Sequence, residues 1–413
     1  MKFKLALIVS AVVLLAGCSN PRPVDRMDDT ELKAFADQLA HKYIIADGHV
    51  DLPGRLLDNK FNVSTGNYNV LIHTDSGEFD FERAMKGGLT APFMSIYVGK
   101  EFQTHKDFGK ERADSMINLV EQIANHLPDK FALAPMAKDV EANFKAGKIS
   151  LPMGMENGAP IGKDLANVKY FHGRGIRYIT LTHTQDNQIC DSSGDTTHTS
   201  GGLSPFGRQV VEEMNKVGIM VDISHVDDST FYQVMKLTKA PCIASHSSCR
   251  SFAPTAMRDM TDDMISALGK NGGVMLINFY NSFLDENTRN YSKRIDSLLK
   301  ANNIKESDPA AKQLVSGFRA THPAPVVDVK LVADHVEHAI ALAGIDHVGF
   351  GSDFDGVGGA DNLPEGLKDV SQYPNLIYEL LKRGHTEEDI QKLCSGNFLR
   401  VWKKVEEVAG VRN

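Results

Sequence analysis

The sequence predicts an α/β fold, a (β/α)8 TIM barrel with helical insertions, and three observations carry that prediction. Short runs rich in branched and aromatic residues recur eight times along the chain. Segments between them hold amphipathic helical patterns, with apolar residues at three- and four-residue spacing. Nearly every run ends in a polar, chemistry-bearing residue, and in such barrels catalytic groups come from the C-terminal ends of several strands. A doubly wound sheet is the runner-up, and the polar strand ends favour the barrel.

The first run, Tyr43 to Ala46, closes with Asp47-Gly48, the pattern of a buried strand meeting a turn, and leaves His49 and Asp51 at its end. On an extended backbone residues i and i+2 face the same way, so an imidazole nitrogen and a carboxylate oxygen can converge on one point. A lone H-x-D is ordinarily a turn aspartate beside a capping histidine, so the rest of the chain decides. The further runs are 89–99, 149–158 ("ISLPMGMENG"), 176–187, 218–226, 240–248, 272–280 and 346–356. Helical patterns fall at 206–217, 227–239 and 328–343. The charged stretch 284–325 lacks strand signals and is read as a helical insertion after the seventh strand.

Lys2 and Lys4 precede an apolar run from Leu5 to Ala16, too short to remain as a membrane span and built like a secretory signal. It closes with "LAGC", which resembles a bacterial lipobox and makes Cys18 the expected lipidation site. The expected organisation is a leader (1–17), a lipidated cysteine and polar tether (18–30), and a single (β/α)8 domain (31–413). The expected location is the bacterial cell envelope, lipid-anchored on the periplasmic or outer surface. The chain has 413 residues, 42% hydrophobic and 24% charged, enough for a sizeable core. Its formal charge of −8 becomes −10 once the two leader lysines are removed, which argues against nucleic acid as a partner. Cys190, Cys242, Cys249 and Cys394 show no C-x-x-C spacing, and their pairing stays open.

The strand ends alone give His49, Asp51, Glu156, His183, His225, His246 and Asp353. Singly, each histidine reads as a hydrogen-bonded core residue. A barrel brings all these ends to one rim, and the resulting nitrogen- and oxygen-rich pocket suits two zinc-like cations better than one. Two such ions about 3.5–4 Å apart need a bridging ligand. In strand order Glu156 lies between His49/Asp51 and His225/His246, which makes it the natural bridge.

Competing motifs are weak. "DHVEH" (334–338) sets His335 and His338 on one helix face but is neither H-E-x-x-H nor H-x-x-E-H, and a solvated face is the expectation. "GFGSDFDG" fails G-x-G-x-x-G and holds no Walker lysine. No G-x-S-x-G occurs.

Several motifs in one order, "DGHVDLP", "GMENGAPIG", "RYITLTHTQDN", "GLSPFGRQVVEEMNKVGIMVDISHV", "APCIASHSS" and "DHVGFGSDFDGV", resemble the renal (membrane) dipeptidase family from about residue 41 to 400. The resemblance implies a barrel related to the amidohydrolases and two zinc ions that activate a hydroxide to cleave dipeptides, with a D-residue tolerated at the C-terminal position. It implies His49, Asp51 and Glu156 on one zinc and Glu156, His225 and His246 on the other. His183 then matches the substrate-polarising histidine and Asp353 the catalytic aspartate. Arg258 in "MRDMTDD" matches the carboxylate-binding arginine, with Arg250 as a nearby alternative. Cys249 departs from the family's small residue after the serines and stands close to an expected metal ligand. Small dipeptides and, through the lipid anchor, the membrane are the expected partners, and a homodimer is compatible with this reading. The alternatives are a binuclear amidohydrolase acting on N-acyl amino acids or lactams, and a non-catalytic ligand-binding lipoprotein.

Overall fold

Eight parallel strands close into a barrel in the computed structural model, which describes residues 26–61, 69–305 and 308–411. The leader and Cys18 lie outside the described residues. The strands are β1 (Ile45–Val50), β2 (Leu89–Tyr97), β3 (Phe131–Leu133), β4 (Ile149–Leu151), β5 (Met153–Glu156), β6 (Ile176–Thr180), β7 (Met220–Asp222), β8 (Ile243–Ser247), β9 (Val274–Ile277) and β10 (Val348–Phe350). The ring runs β1-β10-β9-β8-β7-β6-β5-β2, and β3 with β4 forms a separate two-stranded sheet. Each of the eight stretches read as strands contributes one strand to the ring.

One boundary differs. The stretch 149–158, expected as a single strand, divides at Pro152 into β4 and β5. Proline has no N–H to give a ladder, so β4 pairs outward with β3 while β5 turns into the barrel beside β2 and β6. The Pro152 carbonyl still accepts the Met94 N–H at 2.8 Å.

Local signals explain the helices. Ser204 accepts the Gly207 N–H, Pro205 occupies the first turn, and Gly218 at φ +88° ends the helix Pro205–Val217. Asp227 caps Asp228–Leu237 in the same way, and Val329–Ala343 fills the third expected position. The stretch 284–325 is helical, as Glu286–Ala301 and Pro309–Thr321. The helix Asp29–Lys42 begins within the stretch read as tether, because Asp28 and Glu31 form a capping box and Leu32, Ala36, Leu39 and Ala40 are buried.

Aromatic packing closes one end of the barrel. Phe398 and Trp402 of the last helix, Asn397–Val408, pack on Phe93 with ring centroids 4.7 and 5.2 Å apart. They join one cluster with Tyr178, Met220, Ile243 and Leu276 of the strands. Asn397 donates to the Val348 carbonyl at 2.8 Å and Arg400 to the Gly272 carbonyl at 2.9 Å, both at strand starts. The plugged end is therefore where strands begin, and the chemistry-bearing residues gather at the other.

The expectation of a solvated face for His335 and His338 is overturned at His335, which is fully buried. Its Nδ1 accepts the Cys249 N–H at 3.1 Å, its Nε2 meets the Leu284 carbonyl at 3.0 Å, and Phe252 stacks on its ring. A helix that pins two loops needs a polar group able to donate on one side and accept on the other, which neutral imidazole provides. His338 is part-exposed and pairs with Asp262 at 2.8 Å. All four described cysteines are buried and free. Cys249 turns its thiol to the His335 carbonyl, and burial raises its pKa well above the ordinary value.

Candidate active site

The first strand delivers two of the predicted groups by ending abruptly. His49 lies within β1, Asp51 stands directly after it, and the helix Leu52–Asp58 starts at once with Pro53 in its first turn. The loop after β10 is fastened to this end. Asp51 N–H donates to the Phe354 carbonyl at 2.8 Å and Asp353 N–H to the His49 carbonyl at 3.1 Å. Asp353 and Asp355 hold φ at +66° and +67°, which aspartate tolerates better than most residues. Gly356 makes the approach possible, since a Cβ there would come within 2.3 Å of Asp51 Oδ2 and 2.6 Å of Asp353 Oδ1.

Glu156, the last residue of β5, stands at the centre and is buried. Its Oε2 faces His49 Nε2 at 3.3 Å, while its Oε1 faces Nε2 of His225, His246 and His183 at 3.0, 3.4 and 3.5 Å. Asp51 Oδ2 adds to the His49 side at 3.3 Å from Nε2. The two carboxylate oxygens thus look into two different donor groups. Burial disfavours charge on Glu156, but the surrounding histidines, His49 and His183 foremost, hold its carboxyl well below the usual range. Burial first, and neighbouring positive groups second, push His225 and His246 well below their ordinary values, which leaves neutral imidazoles. For His49 burial is outweighed by Tyr178, Glu156 and Asp51, and its pKa rises well above the ordinary value. A cation in that place would take over the proton's role.

Partners behind the site orient these rings. Ser245 Oγ donates to Asp222 Oδ2 at 2.6 Å and meets His246 Nδ1 at 2.7 Å. With its own hydrogen committed to Asp222, Ser245 accepts from Nδ1–H, so the His246 lone pair is on Nε2, facing Glu156. Asp222 also accepts from the Thr180 hydroxyl and from the Ser224 and Ser245 backbone N–H groups at 3.1 and 2.9 Å. Tyr178 engages His49 Nδ1 at 2.8 Å, which leaves Nε2 free of any hydrogen bond and buried. Asp47 accepts from the His49 and Ser352 N–H groups and from Tyr373. From sequence, Asp47 reads only as a turn residue, and Tyr178, Asp222 and Ser245 carry no mark of a site role. The recurrence of an aspartate two or three residues before a site histidine, at Asp47/His49 and Asp222/His225, is the available signal for the two aspartates.

The remaining predicted groups fall at the rim. His183 lies three residues beyond β6, edge-on to Tyr97 at 4.9 Å, with burial lowering its pKa. Asp353 accepts from Asn278 Nδ2 at 2.9 Å and joins His49 and Asp51 in one group of converging ligand atoms. Burial pushes its carboxyl up to about 7, opposed by His49 and reinforced by Asp51 and Glu156. The two arginines separate clearly. Arg250 is spent on Asp228, with contacts of 2.9 and 2.6 Å, and on the Asp259 carbonyl. Arg258 donates to Ser247 Oγ at 2.7 Å and the His246 carbonyl at 2.6 Å, and forms no ion pair with a described residue.

The donor set fits divalent cations. Imidazole nitrogens and carboxylate oxygens converge in three overlapping trios, His49/Glu156/His246, Glu156/His183/His225 and His49/Asp51/Asp353. A fourth trio, Asp191/His198/Asp227, lies apart and has structural work: Asp191 accepts the Ser200 and Gly202 N–H groups, and Asp227 caps a helix.

Comparison with known proteins agrees with this geometry. Residues 33–413 match the membrane dipeptidase family, peptidase family M19. The dipeptidase aclJ of Aspergillus oryzae is 35% identical over 344 residues, which cover 81% of this chain and 71% of that protein. Among solved structures, the probable dipeptidase PvdM from Pseudomonas aeruginosa gives a TM-score of 0.77 at 26% identity, covering 92% of this chain and 100% of that one. A metallopeptidase from Rhodobacter sphaeroides, solved with a phosphinate mimic of the dipeptide L-Ala-D-Ala, shares the fold with a TM-score of 0.71 at 24% identity, covering 88% and 99%. Family match, identity and barrel point the same way: the chain belongs to the membrane dipeptidases of peptidase family M19 and is a metallo-dipeptidase, a hydrolase of peptide bonds.

Proposed function

We propose that this enzyme cleaves dipeptides bearing a free C-terminal carboxylate at a site for two zinc ions. His49, Asp51 and Glu156 would hold one ion, and Glu156, His225 and His246 the other. The supporting observation is the division of Glu156, with Oε2 toward His49 and Oε1 toward His225 and His246. When bound, such a metal pair supplies an activated water and polarises the scissile carbonyl.

The chain's own residues do the rest. Asp353 accepts the proton from the water as its oxygen bonds to the carbonyl carbon, then delivers it to the nitrogen as the C–N bond breaks. His183 donates a hydrogen bond to the carbonyl oxygen as that oxygen gains charge. Arg258, with no ion-pair partner among the described residues, holds the substrate carboxylate through its guanidinium fork, which favours dipeptides over longer chains. The proposal includes substrates with a D-residue at the C-terminal position, as the family resemblance implies. It also includes delivery to the bacterial cell envelope as a lipoprotein anchored at Cys18.

Metal analysis combined with a substrate panel tests the reading. Close to two zinc ions per chain and hydrolysis of L-Ala-L-Ala and L-Ala-D-Ala are expected, with the C-terminal amides cleaved far more slowly. Activity undiminished by full removal of metal, or a preference for N-acetyl amino acids over free dipeptides, would overturn it.

A further inference from the structure

The segment "MRDMTDD" sets beside Arg258 a second ionisable side chain that the dipeptidase chemistry leaves unused. Asp259 is 1% exposed, and neither of its carboxyl oxygens has a hydrogen-bond partner among the described residues. Backbone contacts on both sides fix it there. Its N–H donates to the Ala256 carbonyl at 2.9 Å, its carbonyl accepts from Arg250 Nε at 2.8 Å, and the Met260 N–H donates to the Ser248 carbonyl at 2.9 Å. Buried polar groups are nearly always hydrogen-bonded, so a pinned acid with no donor for its oxygens calls for a reason. An unbonded charge costs far more in such a place than the neutral acid, and the group therefore keeps its proton at neutral pH.

Arg258 is the cation on which this acid acts. Burial lowers the Arg258 pKa, and among the carboxylates that oppose that effect Asp259 stands first, ahead of Asp353, Asp222 and Glu156. Arg258 commits N–H groups to Ser247 Oγ and the His246 carbonyl, while its Nε–H is buried with no partner among the described residues. The other cations in the field of Asp259 are engaged elsewhere. Arg250 holds Asp228 at 2.9 and 2.6 Å, and Arg289 Nε donates to the Thr255 hydroxyl at 3.2 Å. The Cys249 thiol also faces this field, and burial, reinforced by Asp259 and Asp262, keeps it neutral. For Asp259 itself, burial pushes the carboxyl up to about 8, opposed by Arg258 and Arg289 and, less, by the Ser248 N–H and Arg250.

We propose that Asp259 is a positioning residue that sets how firmly Arg258 holds the substrate carboxylate: while neutral it leaves the guanidinium charge undivided, and once ionised it competes for that charge. The inference rests on the proposed seating of the substrate carboxylate on Arg258. A negative Asp259 repels that carboxylate and draws on the same guanidinium, so substrate binding and loss of the Asp259 proton oppose each other. Above about pH 8 the hold weakens. The effect falls on KM and spares kcat, because the carboxylate is held equally in the bound substrate and through the chemical step.

The test compares the zinc-loaded full-length wild type with Asp259→Asn, which keeps the shape and does not ionise, on Ala-Ala and its C-terminal amide from about pH 7 to about pH 9.5. The ratio of wild-type to variant KM for Ala-Ala should climb roughly threefold or more over that range, while the kcat ratio and the KM ratio for the amide stay level. Titration of the substrate amine and of the metal-facing groups is common to both enzymes and cancels in these ratios. Asp259→Ser, smaller and also neutral, should reproduce the result, so misfolding of one variant does not decide the matter. A KM ratio that stays flat with pH in the folded variants overturns the proposal, as does an equal climb with the amide. A wild type that cleaves the amide as readily as Ala-Ala would instead defeat the seating of the carboxylate on Arg258, and this inference with it.

Discussion

Glu156 shows how much one side chain carries here. Two donor groups face its two oxygens, and a neutral amide in its place keeps the shape but loses the charge that would balance the two proposed divalent ions. Glu156→Gln is therefore expected to drop bound zinc from near two per chain to below one, read by emission spectrometry on gel-filtered protein with unchanged circular dichroism. Near-stoichiometric retention of both ions would exclude the bridging role. Asp353 makes the complementary case. Asparagine fits its left-handed backbone and keeps an oxygen for Asn278, so the fold should tolerate Asp353→Asn. It cannot move a proton. A loss in kcat of roughly 10²–10⁴ is expected, with KM, zinc content and Tm close to wild type. Normal turnover in that variant would leave the proton relay without a carrier.

At the scale of elements, the barrel strands were legible because each short apolar run ends in a turn and a polar residue. The side chains that orient the metal-facing rings were not. Tyr178 and Ser245 matter only through neighbours that the closed sheet supplies, and nothing local distinguishes them from ordinary strand residues. His335 was misread for a related reason, since its helix looks amphipathic until the loops at Cys249 and Leu284 are packed against it. Its position has a pH consequence. Burial lowers its pKa from about 6.5 to about 4, since the charged imidazolium is poorly solvated there. The unfolded chain takes up that proton below about pH 6.5 and the folded chain only near 4, so this stability is complete above 6.5 and lost as pH falls through that window. The loss reaches about 3 kcal/mol. His335→Gln keeps one donor and one acceptor but does not titrate. Urea midpoints should fall less between pH 7 and pH 4.5 in the variant than in the wild type, and parallel falls would refute the assignment.

The whole molecule has one plugged end and one chemical end, and only the second was written plainly in the sequence. Phe398 and Trp402 lie on a helix whose pattern resembles that of any surface helix, and their place under the barrel depends on ring closure. The first described helix opens at the capping box of Asp28 and Glu31, and the proposed anchor at Cys18 lies outside the described residues. No described helix is long and apolar enough to cross a membrane. On the proposed arrangement, attachment runs through acyl chains on Cys18, and stable anchoring of this kind needs more than a single short chain. Expressed in a bacterial host, the full-length chain should therefore partition into the membrane fraction and incorporate labelled palmitate. Cys18→Ser should release it into the aqueous fraction, unlabelled. Because the site is assembled from strand ends between His49 and Asp353, the released enzyme should keep kcat/KM on dipeptides within about twofold of the anchored form. Membrane association that survives Cys18→Ser would overturn the lipid anchor, and a large loss of kcat/KM on release would show that anchor and barrel are not separate units.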